Sequence, residues 1–193
     1  DCNTFYFREN EGWTGLLLES GKWFPVAPND EINLKIETVS KDNINSIFKK
    51  YNVPYEFDLL SVDIDSFDYW VTKEILTQYS PRVVMVEVNV RFEPTESWRL
   101  KDDPNWDWNG TKWYGASPMA YKKMFNDAGY TPVYTHVDDL IAVRNDVLRE
   151  GGFSEPEWEY VYPHSNVPLY NTHNMGGTQP LVTELNLDEW EEV

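Results

Sequence analysis

The sequence predicts an α/β domain on a mainly parallel sheet, finished by an antiparallel strand pair. Three observations predict it. Residues 57–70 read as an apolar strand that ends in carboxylates and turns directly into a helix. Leu59, Leu60, Val62 and Ile64 supply the apolar run, and Asp63, Asp65 and Asp68 crowd its carboxyl end. Residues 82–89 repeat the pattern and finish in Glu87 and Asn89. Near-continuous apolar runs of this kind suit strands covered on both faces, the habit of parallel sheets. The third observation is the pair 131–137 and 140–144, joined through Asp138 and Asp139, which reads as the closing antiparallel strands. Open α/β sheets place ligands outside the carboxyl ends of their strands. Asp63, Asp65, Glu87 and Asn89 are therefore expected to line one crevice.

The remaining elements follow in order. Residues 4–13 read as the end of a helix broken at Gly12, and 14–19 as a short strand closed by Glu19. Gly21, Pro25, Pro28 and Asn29 punctuate a loop. Residues 34–39 alternate like a strand. Ser40 is the expected N-cap of a helix through Lys50, with Ile44, Ile47 and Phe48 at helical spacing. After the strand ending at Ile64 comes a helix over 68–79, closed before Pro81. Residues 90–114 form a long polar loop carrying Trp98, Trp106, Trp108 and Trp113, and loops of that length usually have a role. Pro118 opens a helix over 117–127 from its first position, and Gly129 ends it. Beyond residue 149 periodicity fades into prolines, aromatics and acids. The domain is thus expected over 1–149, N-terminally incomplete, with an acidic, aromatic arm over 150–193 that packs on this domain or on a protein partner.

Bulk composition narrows the classes. A chain of 193 residues has room for one domain with a real core. It carries 33 acids against 16 bases, a formal net charge of −17. Such a surface repels phosphate backbones, which argues against nucleic acid as a partner. One cysteine, Cys2, excludes an internal disulfide and a cysteine-rich metal site and accords with a reducing intracellular compartment. No stretch approaches the roughly 18 apolar residues of a membrane span, and no secretory signal is read.

Several short motifs resemble one family. Thr38-Val-Ser-Lys-Asp-Asn-Ile44, Phe57-Asp-Leu-Leu-Ser-Val-Asp-Ile-Asp65 and Asp68-Tyr-Trp-Val71 are similar to the core block of FkbM-type methyltransferases. Residues 81–89, Trp113-Tyr-Gly-Ala-Ser117, Gly129-Tyr130 and residues 140–146 continue the likeness in the same order. It covers roughly residues 3–148, most densely 34–148. The resemblance implies a Rossmann-like class I sheet with S-adenosylmethionine as cofactor and O-methyl transfer to a small-molecule or glycan hydroxyl acceptor. It implies that Glu19 binds the ribose hydroxyls and that Asp63 lies near the methionine part of the donor. The glycine-rich turn that the family places after its first strand has no counterpart in residues 1–4, and the span from Glu19 to Leu34 is short for the family. These departures support a second expectation, a catalytically inactive methyltransferase-like subunit of a larger assembly.

Other roles come from residue chemistry. Asp63, Glu87 and Asn89 would offer the hard oxygen ligands that Mg²⁺ prefers. The competing role for Asp63 and Asp65 is capping of the following helix, where acids meet its positive end. Tyr69 is a candidate to stack on an adenine ring, or else a core aromatic. Asp63, Asp65 and His136 are the candidate bases for removing a hydroxyl proton. His164 and His173 are too isolated to read as a metal pair. The loop tryptophans are candidate platforms for an acceptor ring or a protein partner.

Overall fold

A computed structural model of the chain describes residues 3–22, 25–103, 106, 108, 114–136, 138–163 and 185–193. Its centre is a four-stranded sheet whose strands come from the most apolar runs of the sequence. β3 (Leu59–Val62) and β4 (Val83–Glu87) pair in parallel, with Leu59 opposite Val83 and Val62 opposite Val86. β7 (Asp139–Arg144) lies antiparallel between β4 and β6 (Tyr130–His136), giving the order β3-β4-β7-β6. Three of these four strands point the same way, and β7 makes the antiparallel pair. The protein is α/β with a mixed sheet.

Two smaller sheets accompany it. β1 (Leu17–Glu19) and β2 (Leu34–Ile36) form a parallel pair. β5 (Trp98–Leu100) pairs antiparallel with β8 (Trp190–Glu192). The helices are α1 (Phe5–Glu11), α2 (Ile44–Lys50), α3 (Asp68–Gln78), α4 (Pro118–Asp127), α5 (Asn145–Glu150) and α6 (Trp158–Val161).

Packing follows the pleat. Leu60 and Val62 of β3, Val84 and Val86 of β4, and Leu140 and Ala142 of β7 are buried in one core. Tyr69, Val71 and Ile75 of α3 and Ala120, Tyr121, Met124 and Phe125 of α4 complete it. Trp158, Val161 and Tyr162 join the same core, and the Tyr162 hydroxyl donates to the carbonyls of Val90 and Phe92. The described parts of residues 150–193 are therefore folded onto the α/β body. A second small core gathers Phe92, Leu100 and Trp190.

Three local readings need correction. α2 begins at Ile44, not after Ser40, because Asn43 folds the preceding turn. Its Oδ1 accepts from the Ser40 amide at 2.8 Å and its Nδ2 donates to the Thr38 carbonyl at 2.8 Å. The stretch 90–114 is not all loop, since residues 98–100 form β5 against a strand some ninety positions later. The strand expected up to Ile64 stops at Val62, where Asp68 captures the next amides. Where the sequence placed Pro118 at a helix start, the structure agrees: Ser117 is the N-cap and its Oγ accepts from the Ala120 amide.

Ser117 Oγ also accepts from the Trp98 amide at 2.9 Å, tying α4 to β5. Replacing Ser117 with alanine removes the one acceptor of both hydrogen bonds and is expected to cost about 1–2 kcal/mol. Urea unfolding of S117A measures this, and an unchanged midpoint contradicts the assignment.

Candidate functional site

β3 and β4 run side by side in the same direction, so their carboxyl ends open at one end of the sheet. The chain leaves β3 through a tight turn. Asp65 sits there at φ 58°, in the left-handed region that side chains other than glycine enter at a cost. The turn is held from below by Asp68. Its carboxylate is fully buried and accepts from the Ile64 amide at 2.8 Å and the Ser66 amide at 3.0 Å. The α3 N-cap is Phe67, with no side-chain cap bond, so Asp68, and neither Asp63 nor Asp65, organises this helix start.

This turn brings Asp63 and Asp65 to the end of β4. Carboxylate oxygens of Asp63, Asp65 and Glu87 all lie within 4.8 Å of one another. Glu87 Oε2 is buried with no hydrogen-bond partner among the described residues. Burial and crowding then act together. Asp63 keeps contact with solvent, yet lost hydration and the charges of Asp65, Asp139 and Asp138 push its pKa up to about 6. Asp65 is raised by burial and by Glu19. Glu87 is raised strongly, by burial first and then by Asp68, Asp63, Asp65 and Asp138. Asp68 is raised by burial despite its two backbone donors. The site therefore holds protons that ordinary carboxylates would have lost near neutral pH.

The other candidates are placed as follows. Glu19, at the end of β1, is near enough to raise Asp65, while its Oε1 accepts from the Gly21 amide at 3.0 Å and the Ser20 hydroxyl at 3.3 Å. His136 is opposite Asp139, which is opposite Glu87, so the three occupy one row across the sheet. Two strand spacings put the His136 backbone roughly 10 Å from that of Glu87. His136 is exposed at the rim. Asn89 is fully buried and its amide serves the backbone: Oδ1 accepts from the Arg91 amide and Nδ2 donates to the Tyr114 carbonyl. Asp65 occupies the third position of the oxygen cluster that the sequence reading gave to Asn89. Tyr69 is a core residue, 3% exposed, with its hydroxyl accepting from Arg99 Nη1 at 3.0 Å.

Trp106 meets Phe67 edge-on at 5.4 Å, which sets one loop tryptophan beside the acid turn. Trp98 and Trp106 also pack against the Phe92, Leu100 and Trp190 core. Trp108 meets Tyr114 edge-on at 6.5 Å. Trp113, His164, His173 and Cys2 lie outside the described residues.

Two contributors escaped the sequence reading. Asp68 looked like one more acid, although its place two residues after Ser66 and four after Ile64 is the spacing at which a first-turn carboxylate reaches back. Tyr121 is fully buried near Asp68 and Glu87, and its hydroxyl pKa is driven up by burial and by those acids. A cleft of about 510 Å³ lies at the opposite end of the sheet, lined by Glu56, Asp58, Arg82, Arg144 and Asp146. Its arginines are already matched: Arg82 to Asp58, and Arg144 to Glu56 and Asp146.

The arrangement has two chemical capacities. A carboxyl whose pKa lies near neutrality is suited to take a proton from a hydroxyl. A crowd of hard oxygens with raised pKa values attracts positive charge, whether a divalent cation or an organic one. Among the described residues no helix is long and apolar enough to cross a membrane. No protein-family model, no curated protein and no solved structure matches this chain.

A stability prediction follows from the carboxyl shifts. A carboxyl with a folded pKa above its unfolded one binds its proton more tightly in the fold. Its stabilisation is present at low pH and is lost as pH rises from the ordinary 3.8 through about 6 for Asp63. The thermal midpoint is therefore expected to fall as pH rises from about 4 to about 7, and less steeply in D63N. A midpoint that rises over that interval contradicts the crowding.

Proposed function

We propose that this protein is a methyltransferase that uses S-adenosylmethionine and acts on a hydroxyl acceptor at the carboxyl ends of β3 and β4. The observation that carries the reading is the convergence of Asp63, Asp65 and Glu87 within 4.8 Å at those strand ends, with raised pKa values. Such a place lacks positive charge, and a sulfonium or ammonium group supplies it. The Rossmann-like class I assignment draws support from the sheet, in which the last long strand inserts antiparallel between β4 and β6.

When bound, S-adenosylmethionine would supply a methyl group carried on a positively charged sulfur, the leaving group being a neutral thioether that retains the bonding pair. Asp63 takes the acceptor's proton, since a pKa of about 6 leaves it largely ionised at neutral pH but basic enough to receive one. Asp65 and Glu87 orient the acceptor hydroxyl. Glu19 would hold the ribose hydroxyls, as the family resemblance implies. Trp106 beside Phe67 offers an apolar wall for the acceptor. Asp63, Asp65 and Glu87 also fit Mg²⁺, which would supply Lewis acidity toward the acceptor oxygen, with Glu87 Oε2 as the orphaned donor such an ion would satisfy. Alignment of the reactants carries most of the rate for such a transfer.

A second reading has its own observation. Glu19 turns its Oε1 onto Gly21 and Ser20. This favours a catalytically inactive methyltransferase-like subunit that meets a protein partner through residues 150–193.

Calorimetric titration with S-adenosylhomocysteine, with and without Mg²⁺, separates the readings. Micromolar binding is expected, and D63A is expected to abolish transfer while the circular dichroism spectrum is unchanged. A folded sample that binds nothing in either condition favours the inactive subunit.

A further inference from the structure

A second set of acids adjoins Asp63, Asp65 and Glu87. Asp139 of β7 is the cross-strand partner of Glu87. Residues directly opposite in an antiparallel pair share a face, with Cβ atoms roughly 5 Å apart, and like charges there repel. The Asp138 carbonyl accepts from the Val88 amide at 2.7 Å, which fastens the turn before β7 to the end of β4. The charge of Asp138 therefore bears on both Asp63 and Glu87. Asp63, Asp65, Glu87, Asp138 and Asp139 thus meet at the ends of the adjacent strands β3, β4 and β7. None of them forms an ion pair with a described Lys, Arg or His.

Two buried oxygens beside these acids have no hydrogen-bond partner among the described residues. Glu87 Oε2 is one. The other is the hydroxyl of Tyr121, a side chain with no solvent exposure that reaches from α4 into the field of Asp68 and Glu87. Both oxygens can accept a hydrogen bond. An ammonium group brings three N–H donors, no acceptor and the missing positive charge.

Mg²⁺ answers only part of this need. An ion gathered by Asp63, Asp65 and Glu87 leaves the charges of Asp138 and Asp139, one strand further on, uncompensated. The surroundings are aromatic as well. The Gly115 amide donates to the Ser66 carbonyl, and Asn89 Nδ2 donates to the Tyr114 carbonyl, so Tyr114 bridges the β3 turn and the segment after β4. Its hydroxyl lies in the field of Glu87 and Asp138. Phe67, next to Ser66, meets Trp106 edge-on. Aromatic rings attract organic cations and pack on apolar C–H surface, whereas Mg²⁺ holds its water.

We propose that the crevice receives an amino sugar, with its ammonium group held by Glu87, Asp138 and Asp139 and its ring against Tyr114 and Trp106. A hydroxyl across the sugar ring then comes to Asp63 and Asp65 at the β3 end, one strand spacing away, roughly 5 Å. That this sugar is the methyl acceptor rests on the methyl-transfer reading; the ammonium site does not.

Magnetic resonance titration of the protein at physiological salt tests the proposal with glucosamine, N-acetylglucosamine and glucose, each with and without S-adenosylhomocysteine. Glucosamine is expected to bind at least about tenfold more tightly than the other two, which lack the charge. D138N/D139N, folded by its circular dichroism spectrum, is expected to bind all three alike. Equal affinity for the three sugars in the unmutated chain overturns the proposal, as does a glucosamine preference that survives in D138N/D139N. Binding of Mg²⁺ but not of glucosamine overturns it in favour of a metal centre. A glucosamine preference without S-adenosylhomocysteine binding upholds the ammonium site and removes the methyl-transfer reading. S-adenosylhomocysteine binding without that preference removes the amino sugar alone.

Discussion

One buried carboxylate holds the junction on which the candidate site rests. Asp68 has no solvent exposure, and its two oxygens accept from the amides of Ile64 and Ser66. Those bonds stop β3 at Val62 and throw the chain into α3. The turn's own groups then reach the far wall. The Ser66 carbonyl accepts from the Gly115 amide, and the Gly115 carbonyl accepts from the Leu100 amide. The Leu100 carbonyl in turn accepts from Trp70 Nε1. Gly115 adopts φ 61°, a conformation that glycine enters freely. Without Asp68, two amide donors just past the end of β3 would be left to find other partners, at a cost of the order of 1–3 kcal/mol each.

That geometry has an electrostatic consequence. Two parallel strands deliver Asp63, Asp65 and Glu87 to one place, and the row through Asp139 adds further negative charge. Electrostatics alone would disperse these groups. They stay together because the strands that carry them are fixed by the apolar core of Leu60, Val62, Val84 and Val86. The fold answers the crowding by retaining protons, most strongly on Glu87. A bound cation answers the same need without them, which links the charge state of this end of the sheet to its occupancy.

The sequence was most readable where one physical rule dominated. β3, β4, β6 and β7 are legible because apolar runs bounded by acids, Pro81 and Gly129 leave few alternatives. The gathering of Asp63, Asp65 and Glu87 was legible from the expectation that adjacent parallel strands open at one end. What required tertiary structure was hidden. β5 is three residues long and its partner Trp190–Glu192 is about ninety positions away, so no local pattern announces it. The choice of Asp68 as the buried tie, and of Asp65 as the third oxygen, depends on the left-handed turn at Asp65. Asn89 reads as a ligand by position, but the buried backbone of residues 91 and 114 takes its amide.

The most direct measurement is carbon-detected magnetic resonance of the Asp and Glu carboxyls as a function of pH. The account predicts that Glu87 titrates well above the usual carboxylate range and Asp63 near 6, and that both move down when a cationic ligand or Mg²⁺ binds. Ordinary titration of both groups near pH 4, with no response to either addition, would contradict it.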